Sequence, residues 1–246
     1  MTERGRDRRY DEQAATIDYG GVREGRDRRC SPFEGWSSLN VISNPNCFDY
    51  LLPSRLIALE GIDQAGKKTQ TRLLSASLRR EGFKVGILSF PVYSSSSGRL
   101  IRSFLAGRTE TSPHALHMLY SLNRWENMKT ITGALKKNDF VICNRYTPSN
   151  LAYGEARGLS VQWLAGLDAG LPESRAVFVL DVPIPKSFSR KTRRRDVNER
   201  DRAFLEKVRR NYRSLATIFG WHLVDGTKPP GEVHQRILLG LRSAFL

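Results

Sequence analysis

The stretch Gly61-Ile62-Asp63-Gln64-Ala65-Gly66-Lys67-Lys68-Thr69 constrains this 246-residue chain more than any other. It follows a short apolar run, Leu56-Ile57-Ala58-Leu59, and opens a segment that reads as helix from Gln70 to Arg80. Strand, glycine-bounded loop, lysine, helix is the order in which a backbone wraps around phosphate. Glycines let consecutive N–H groups point inward at phosphate oxygens. The helix N-terminus adds unpaired donors and partial positive charge, and the lysine reaches the outer phosphates. Candidate phosphate contacts are therefore Gly61, Asp63, Gln64, Ala65, Gly66, Lys67, Lys68, Thr69 and Gln70. The usual pattern, G-x-x-x-x-G-K-[S/T], wants a hydroxyl for Mg²⁺ directly after the lysine. Here Lys68 stands in that position, with Thr69 one place late. On these nine residues alone, a strand-to-helix turn with no ligand remains the alternative.

From Leu56 onward, short apolar runs alternate with longer amphipathic ones. Strands are expected at Leu56–Glu60, Lys84–Phe90, Phe140–Asn144, Ala176–Asp181 and His222–Asp225. Helices are expected at 67–82, 97–106, 112–136, 148–156, 160–168, 184–194, 200–218 and 230–244. Strands alternating with helices predict a parallel sheet covered on both faces. Ligands on such sheets bind at the carboxyl ends of the strands, so the loops after Glu60, Phe90, Asn144 and Asp181 should surround one cleft.

Residues 1–53 are polar, lack sustained periodicity and repeat Gly-Arg-Asp-Arg-Arg at 5–9 and 25–29. An extension with little fixed structure is expected there, followed by one domain over 54–246. A start codon set too far upstream would explain the segment equally well. Its acidic residues argue against a mitochondrial transit peptide. Of the 40 Lys+Arg and 25 Asp+Glu, residues 1–53 hold 8 and 9, so residues 54–246 hold 32 and 16. The net charge of +15 thus belongs to the globular part and suits polyanionic ligands, nucleotides or nucleic acid. No nucleic-acid-reading motif or interleaved stacking aromatics accompanies it, so nucleic acid is not the expected partner. No apolar run approaches the roughly 20 residues that span a membrane. Cys30, Cys47 and Cys143 lack metal-ligand or disulfide-framework spacing, and His114, His117, His222 and His234 show no ligand pairing. A reducing, cytoplasmic location is expected.

Six motifs in order carry a resemblance to the thymidylate kinase family. They are Leu59-Glu60-Gly61-Ile62-Asp63 with Gly66-Lys67 and Thr69-Gln70, then Phe90-Pro91 with a serine run and Gly98. Tyr120-Ser121-Leu122-Asn123-Arg124-Trp125-Glu126 follows, then Asn144-Arg145-Tyr146 with Ser149, Ala152 and Tyr153. Gly170-Leu171-Pro172 with Leu180-Asp181-Val182-Pro183 comes next, and last an arginine-rich segment at 190–202 leading into Phe204-Leu205-Glu206-Lys207-Val208. The resemblance implies a P-loop three-layer α/β fold: a five-stranded parallel sheet flanked by helices, plus an arginine-rich lid at about 190–202. It also implies phosphoryl transfer from ATP to dTMP with Mg²⁺, and a homodimer.

The same resemblance assigns roles. Lys67 and the loop amides would cradle the ATP phosphates. Asp63 would lie near the acceptor's sugar hydroxyl and phosphate, unless it only caps the turn. Tyr120 and Arg124, four apart on one helix face, would stack on thymine and bond its carbonyl, unless they are a helix-surface pair. Tyr153 would lie beneath the sugar and disfavour a 2′-hydroxyl, or else be a half-buried tyrosine. Arg145 and Ser149 would face the acceptor phosphate, with Phe90, Pro91 and Tyr93 beside it. Trp125 reads as core. Gln64 occupies a loop position where some members carry the catalytic arginine, so the lid would supply it. Arg194 and Arg195 are the candidates ahead of Arg190.

Three positions depart from the family pattern. Lys68 replaces the Mg²⁺-binding hydroxyl, Asn144 replaces an aspartate, and Tyr93 replaces an arginine that grips the acceptor phosphate. The first two make the metal site more positive by one unit each. One reading is a degenerate nucleotide-binding homologue. The other keeps catalysis: Lys68 neutralises part of the triphosphate, and Thr69 and Asn144 hold Mg²⁺ at most through water. An acceptor such as dUMP is the rival substrate, because Tyr120 and Arg124 read the edge that thymine and uracil share.

Overall fold

The computed structural model of the chain describes residues 55–190 and 196–245. The expected extension at 1–53 and the lid arginines Arg194 and Arg195 lie outside the described residues. Five strands form one parallel sheet: β1 (Leu56–Glu60), β2 (Val85–Ser89), β3 (Phe140–Asn144), β4 (Ala176–Asp181) and β5 (His222–Asp225). Their order is β2-β3-β1-β4-β5. Every residue of β1 is buried, and Ala176 to Leu180 of β4 are buried as well. That is the pattern of central strands covered on both faces, which explains their continuous apolar runs. The edge strands alternate instead: in β2 Ile87 and Ser89 are exposed on either side of the half-buried Leu88, and in β5 Leu223 is exposed while Val224 is buried.

Ten helices are described: α1 (Lys67–Arg80), α2 (Ser96–Leu105), α3 (Pro113–Glu126), α4 (Met128–Lys137), α5 (Thr147–Ala156), α6 (Val161–Leu167), α7 (Ile184–Ser189), α8 (Val197–Arg200), α9 (Arg202–Phe219) and α10 (Pro230–Phe245). The chain leaves β1 for the far edge at β2, returns through β3, and crosses to the other side of β1 at β4. This reversal about β1 opens a crevice at the carboxyl ends of β1 and β3, where the phosphate loop sits.

Two expectations about helices change. The segment 112–136 is two helices, because Asn127 closes α3: its Nδ2 donates to Asn123 O at 2.8 Å and its backbone N–H to Arg124 O. An asparagine that bonds nearby backbone competes with helix continuation. The segment expected at 200–218 starts earlier and is broken, since Asp196 caps the short α8 in a capping box with Glu199 and Asp201 caps α9. Of the 184–194 segment, α7 ends at Ser189 and 191–195 lie outside the described residues.

His117 on α3 is fully buried, and its Nδ1 faces Asn150 Oδ1 on α5 at 2.8 Å. The carbonyl oxygen must accept, so Nδ1 carries the proton and the buried Nε2 is bare, with no partner. Burial pushes this imidazole down to about 4, because protonation would create a buried N–H with no acceptor. A depressed histidine contributes stability that is complete above its unfolded value of 6.5 and is lost as pH falls towards 4. We expect a loss of roughly 3 kcal/mol over that window from His117. Urea midpoints measured from pH 7 to pH 4 should fall less steeply in His117→Gln than in the parent.

Candidate active site

The loop between β1 and α1 takes its shape from glycine. Gly61 has φ +124, and a Cβ there would lie 2.6 Å from Leu180 O on β4. Gly66 caps α1 in the left-handed region at φ +105. Lys67, buried in the loop, donates from Nζ to Gly61 O at 2.9 Å and Ile62 O at 2.8 Å. Burial first, then the neighbouring Arg145, pushes its pKa down to about 7. Phosphate oxygens favour the charged form, so anion binding and protonation of Lys67 are coupled. The loop is fixed from outside as well: Ser187 Oγ donates to Asp63 O at 2.6 Å, and Arg190 donates to Gln64 O, Ala65 O and Gly226 O. Gln70, an expected phosphate contact, is instead buried with Nε2 donating to Pro230 O at 3.0 Å, which makes its side chain part of the packing of α1 on α10.

Beside the loop lies one cavity. Asp63, Phe90, Pro91, Tyr93, Tyr120, Arg124, Arg145, Ser149 and Tyr153, all singled out in the sequence, line it together. Leu105, Tyr146, Asn150, Asp196 and Asn198 also line it; none was assigned to the site by residue, although Tyr146 belongs to a family motif and Asp196 and Asn198 fall in the expected lid segment. Asn150 follows Ser149 and precedes Tyr153 by three, so helical spacing could have found it. Trp125 is not core. It is 39% exposed, and its Nε1 donates to Leu167 O at 2.9 Å.

Each cationic side chain in the cavity wall is held by a carboxylate. Arg145 takes a left-handed backbone, φ +65, at the end of β3. Its Nη2 donates to Asp63 Oδ1 at 2.7 Å and to the Tyr153 hydroxyl at 3.1 Å, and its Nη1 donates to Ser149 Oγ at 3.2 Å. Arg124 is 3% exposed and commits Nε and Nη2 to Asp168, at 2.7 to 3.1 Å. That arrangement leaves Nη1 for the cavity. Asp168 is fixed in turn by the Ser121 hydroxyl at 2.7 Å. Glu60, wholly buried beneath the loop, accepts from Tyr146 N, Ser149 Oγ and the Tyr212 hydroxyl. Asp196 also lines the cavity, and burial pushes it up to about 6.

The residues fit Mg²⁺ only at arm's length. Among the described residues, no group of three or more His, Cys, Asp or Glu stands ready for a metal. Asn144, at the end of β3, has a buried Oδ1 without a hydrogen-bond partner, suited to accept from a metal-bound water. Thr69 is half-buried in the first turn of α1, and Lys68 is exposed beside it.

The Arg124–Asp168 pair yields a sharp expectation. Asp168→Ala leaves a buried guanidinium uncompensated and should destabilise the fold by about 3 kcal/mol or more in chemical denaturation. The double change Arg124→Met with Asp168→Leu removes both charges and should recover most of that loss.

The comparisons with known proteins point one way. The family model for thymidylate kinase matches residues 59–237. Human thymidylate kinase is 33% identical over 185 residues, covering 74% of this chain and 87% of its own. A probable thymidylate kinase of Pyrococcus abyssi is 35% identical over 199 residues, covering 77% and 97%. The solved structure of the Candida albicans thymidylate kinase superposes with a TM-score of 0.69 at 26% identity, over 78% of this chain and 92% of that one. The chain belongs to the thymidylate kinase family.

Proposed function

We propose that this protein transfers the γ-phosphate of ATP to dTMP, giving dTDP and ADP. The observation that supports this most is the meeting of two sites at one residue. Asp63 is part of the phosphate loop and also lines the aromatic-walled cavity, where Arg145 binds it. A donor triphosphate over the loop and an acceptor phosphate in the cavity would then face each other across Arg145.

In this reading the ATP phosphates draw Lys67 off the Gly61 and Ile62 carbonyls and take the loop amides as donors. Tyr120 stacks on thymine while Arg124 Nη1 donates to a base carbonyl. Tyr153 fills the space beneath C2′, and Arg145 with Ser149 orients the acceptor phosphate. An oxygen of that phosphate attacks the γ-phosphorus, and the bond to the β–γ bridging oxygen breaks, with ADP leaving. The attacking oxygen is already ionised near neutral pH, so the protein needs no general base. Its contribution is alignment and charge stabilisation. Arg194 and Arg195 of the lid are the residues we assign to the charge on the transferring group. Asn144 and Thr69 are the residues that would hold Mg²⁺, through water, and the ion would supply neutralisation of phosphate charge.

We also infer a homodimer. Met118, Leu122 and Trp125 form a stripe along α3 with exposures of 49, 52 and 39%. Leu100, 55% exposed, is on α2, which packs against α3. Such a stripe on a soluble enzyme calls for a cover. With ATP and dTMP as substrates, the cytoplasm is the compartment we infer. No described helix is long and apolar enough to cross a membrane.

Two measurements test these readings. Coupled ADP release with dTMP, dUMP, UMP and dCMP should be fastest with dTMP and slowest with the ribonucleotide. Folded protein that binds ATP yet turns over none of the four would sink the kinase reading. Leu122→Glu should halve the particle mass found by light scattering, whereas an unchanged mass would remove α3 from the interface.

A further inference from the structure

We propose that Lys68 and Asn144 let this chain bind metal-free ATP nearly as well as MgATP, the protein supplying charge that Mg²⁺ brings elsewhere. The proposal rests on the kinase reading above. A loop of the usual pattern has a neutral hydroxyl after its lysine and a carboxylate at the facing strand end, both serving the metal. Here the hydroxyl position holds a cation and the strand end holds a neutral amide. The two changes together make the site two units more positive than the pattern, which equals the charge of one Mg²⁺.

The negative charge of Glu60, held by three neutral donors beneath the loop, acts on Lys67. Glu60 belongs to the family motif, however, and so leaves the difference of two units unchanged, while Asp63 is bound to Arg145. Lys68 is the second residue of α1, exposed, with no ion pair among the described residues. It therefore adds its charge at a helix N-terminus already suited to anions. Asn144 Oδ1 is buried without a partner, so the position still carries an acceptor for a metal-bound water while exerting no carboxylate repulsion on a free triphosphate. A free tetra-anionic ATP thus meets Lys67, Lys68 and the α1 amides with no opposing charge from residue 144.

The test is calorimetric titration of ATP into the full-length protein, in excess EDTA and in excess Mg²⁺. Three variants accompany the parent: Lys68→Met, which keeps bulk without charge, Asn144→Asp, and the double change Lys68→Thr with Asn144→Asp. Parent affinity should differ between the two media by less than about fivefold. Lys68→Met should lose about tenfold in EDTA and clearly less in Mg²⁺. The double variant should bind tightly only with metal. Because Lys68 is exposed, its variants should keep the parent's unfolding midpoint, which separates charge loss from misfolding. Parent ATP affinity that rises tenfold or more with Mg²⁺, or Lys68→Met binding as tightly as the parent in EDTA, overturns the proposal and leaves the kinase reading standing. Failure of folded parent to bind ATP in either medium overturns both.

Discussion

The carboxylate of Glu60 is the point from which the rest of the site takes its position. A buried charge of this kind is tolerated only when its oxygens are fully hydrogen-bonded. Here Tyr146 N donates from the turn after β3, Ser149 Oγ from the start of α5, and the Tyr212 hydroxyl from α9. One side chain at the end of β1 therefore ties together three parts of the chain, the farthest of them 152 residues beyond it. The turn it holds contains Arg145, whose left-handed backbone aims the guanidinium at Asp63. Loss of the Glu60 bonds would release the orientation of the residue between the two phosphate sites.

A second layer of paired charges extends from there. Arg124 is oriented by Asp168, and Arg209 and Arg213 of α9 converge on Asp181 at the end of β4. Such pairs are weak sources of net stability but strong determinants of geometry. They hold each guanidinium plane in one orientation, which a base-reading or phosphate-reading group requires. The cost is that each pair must be complete, because an isolated partner is worse than none.

Much of the fold was legible because local signals agreed. The apolar runs of β1, β3 and β4 are unbroken since both faces of those strands are covered, and each strand begins and ends within a residue or two of its expected place. The loop glycines declared themselves by spacing. What stayed hidden depended on contacts remote in sequence or on single residues that override a pattern. Asp168 lies 44 residues from Arg124, and nothing in its own neighbourhood marks it as that arginine's partner. Asn127 ends a helix whose periodicity runs on through it, and Asp196 starts one inside a segment that reads as solvated charge. Leu105 and Asn198 reach the cavity wall from α2 and α8, segments that carry family motifs through a serine run and a run of arginines rather than through these two residues. Gln70 erred the other way: it continues the loop motif, yet packing against α10 claims its amide.

The hydrogen bonds from Lys67 to Gly61 O and Ile62 O have a consequence for how a nucleotide enters. A glycine-rich turn without them would have to be frozen into shape at the moment of binding, at an entropic cost per ordered residue. With them, the loop is already curled about the Lys67 amine before a phosphate arrives. Arrival of the ligand then exchanges two carbonyl acceptors for phosphate oxygens around one side chain. The resting site is in this sense a mould kept open by a stand-in, ready to be filled without first being made.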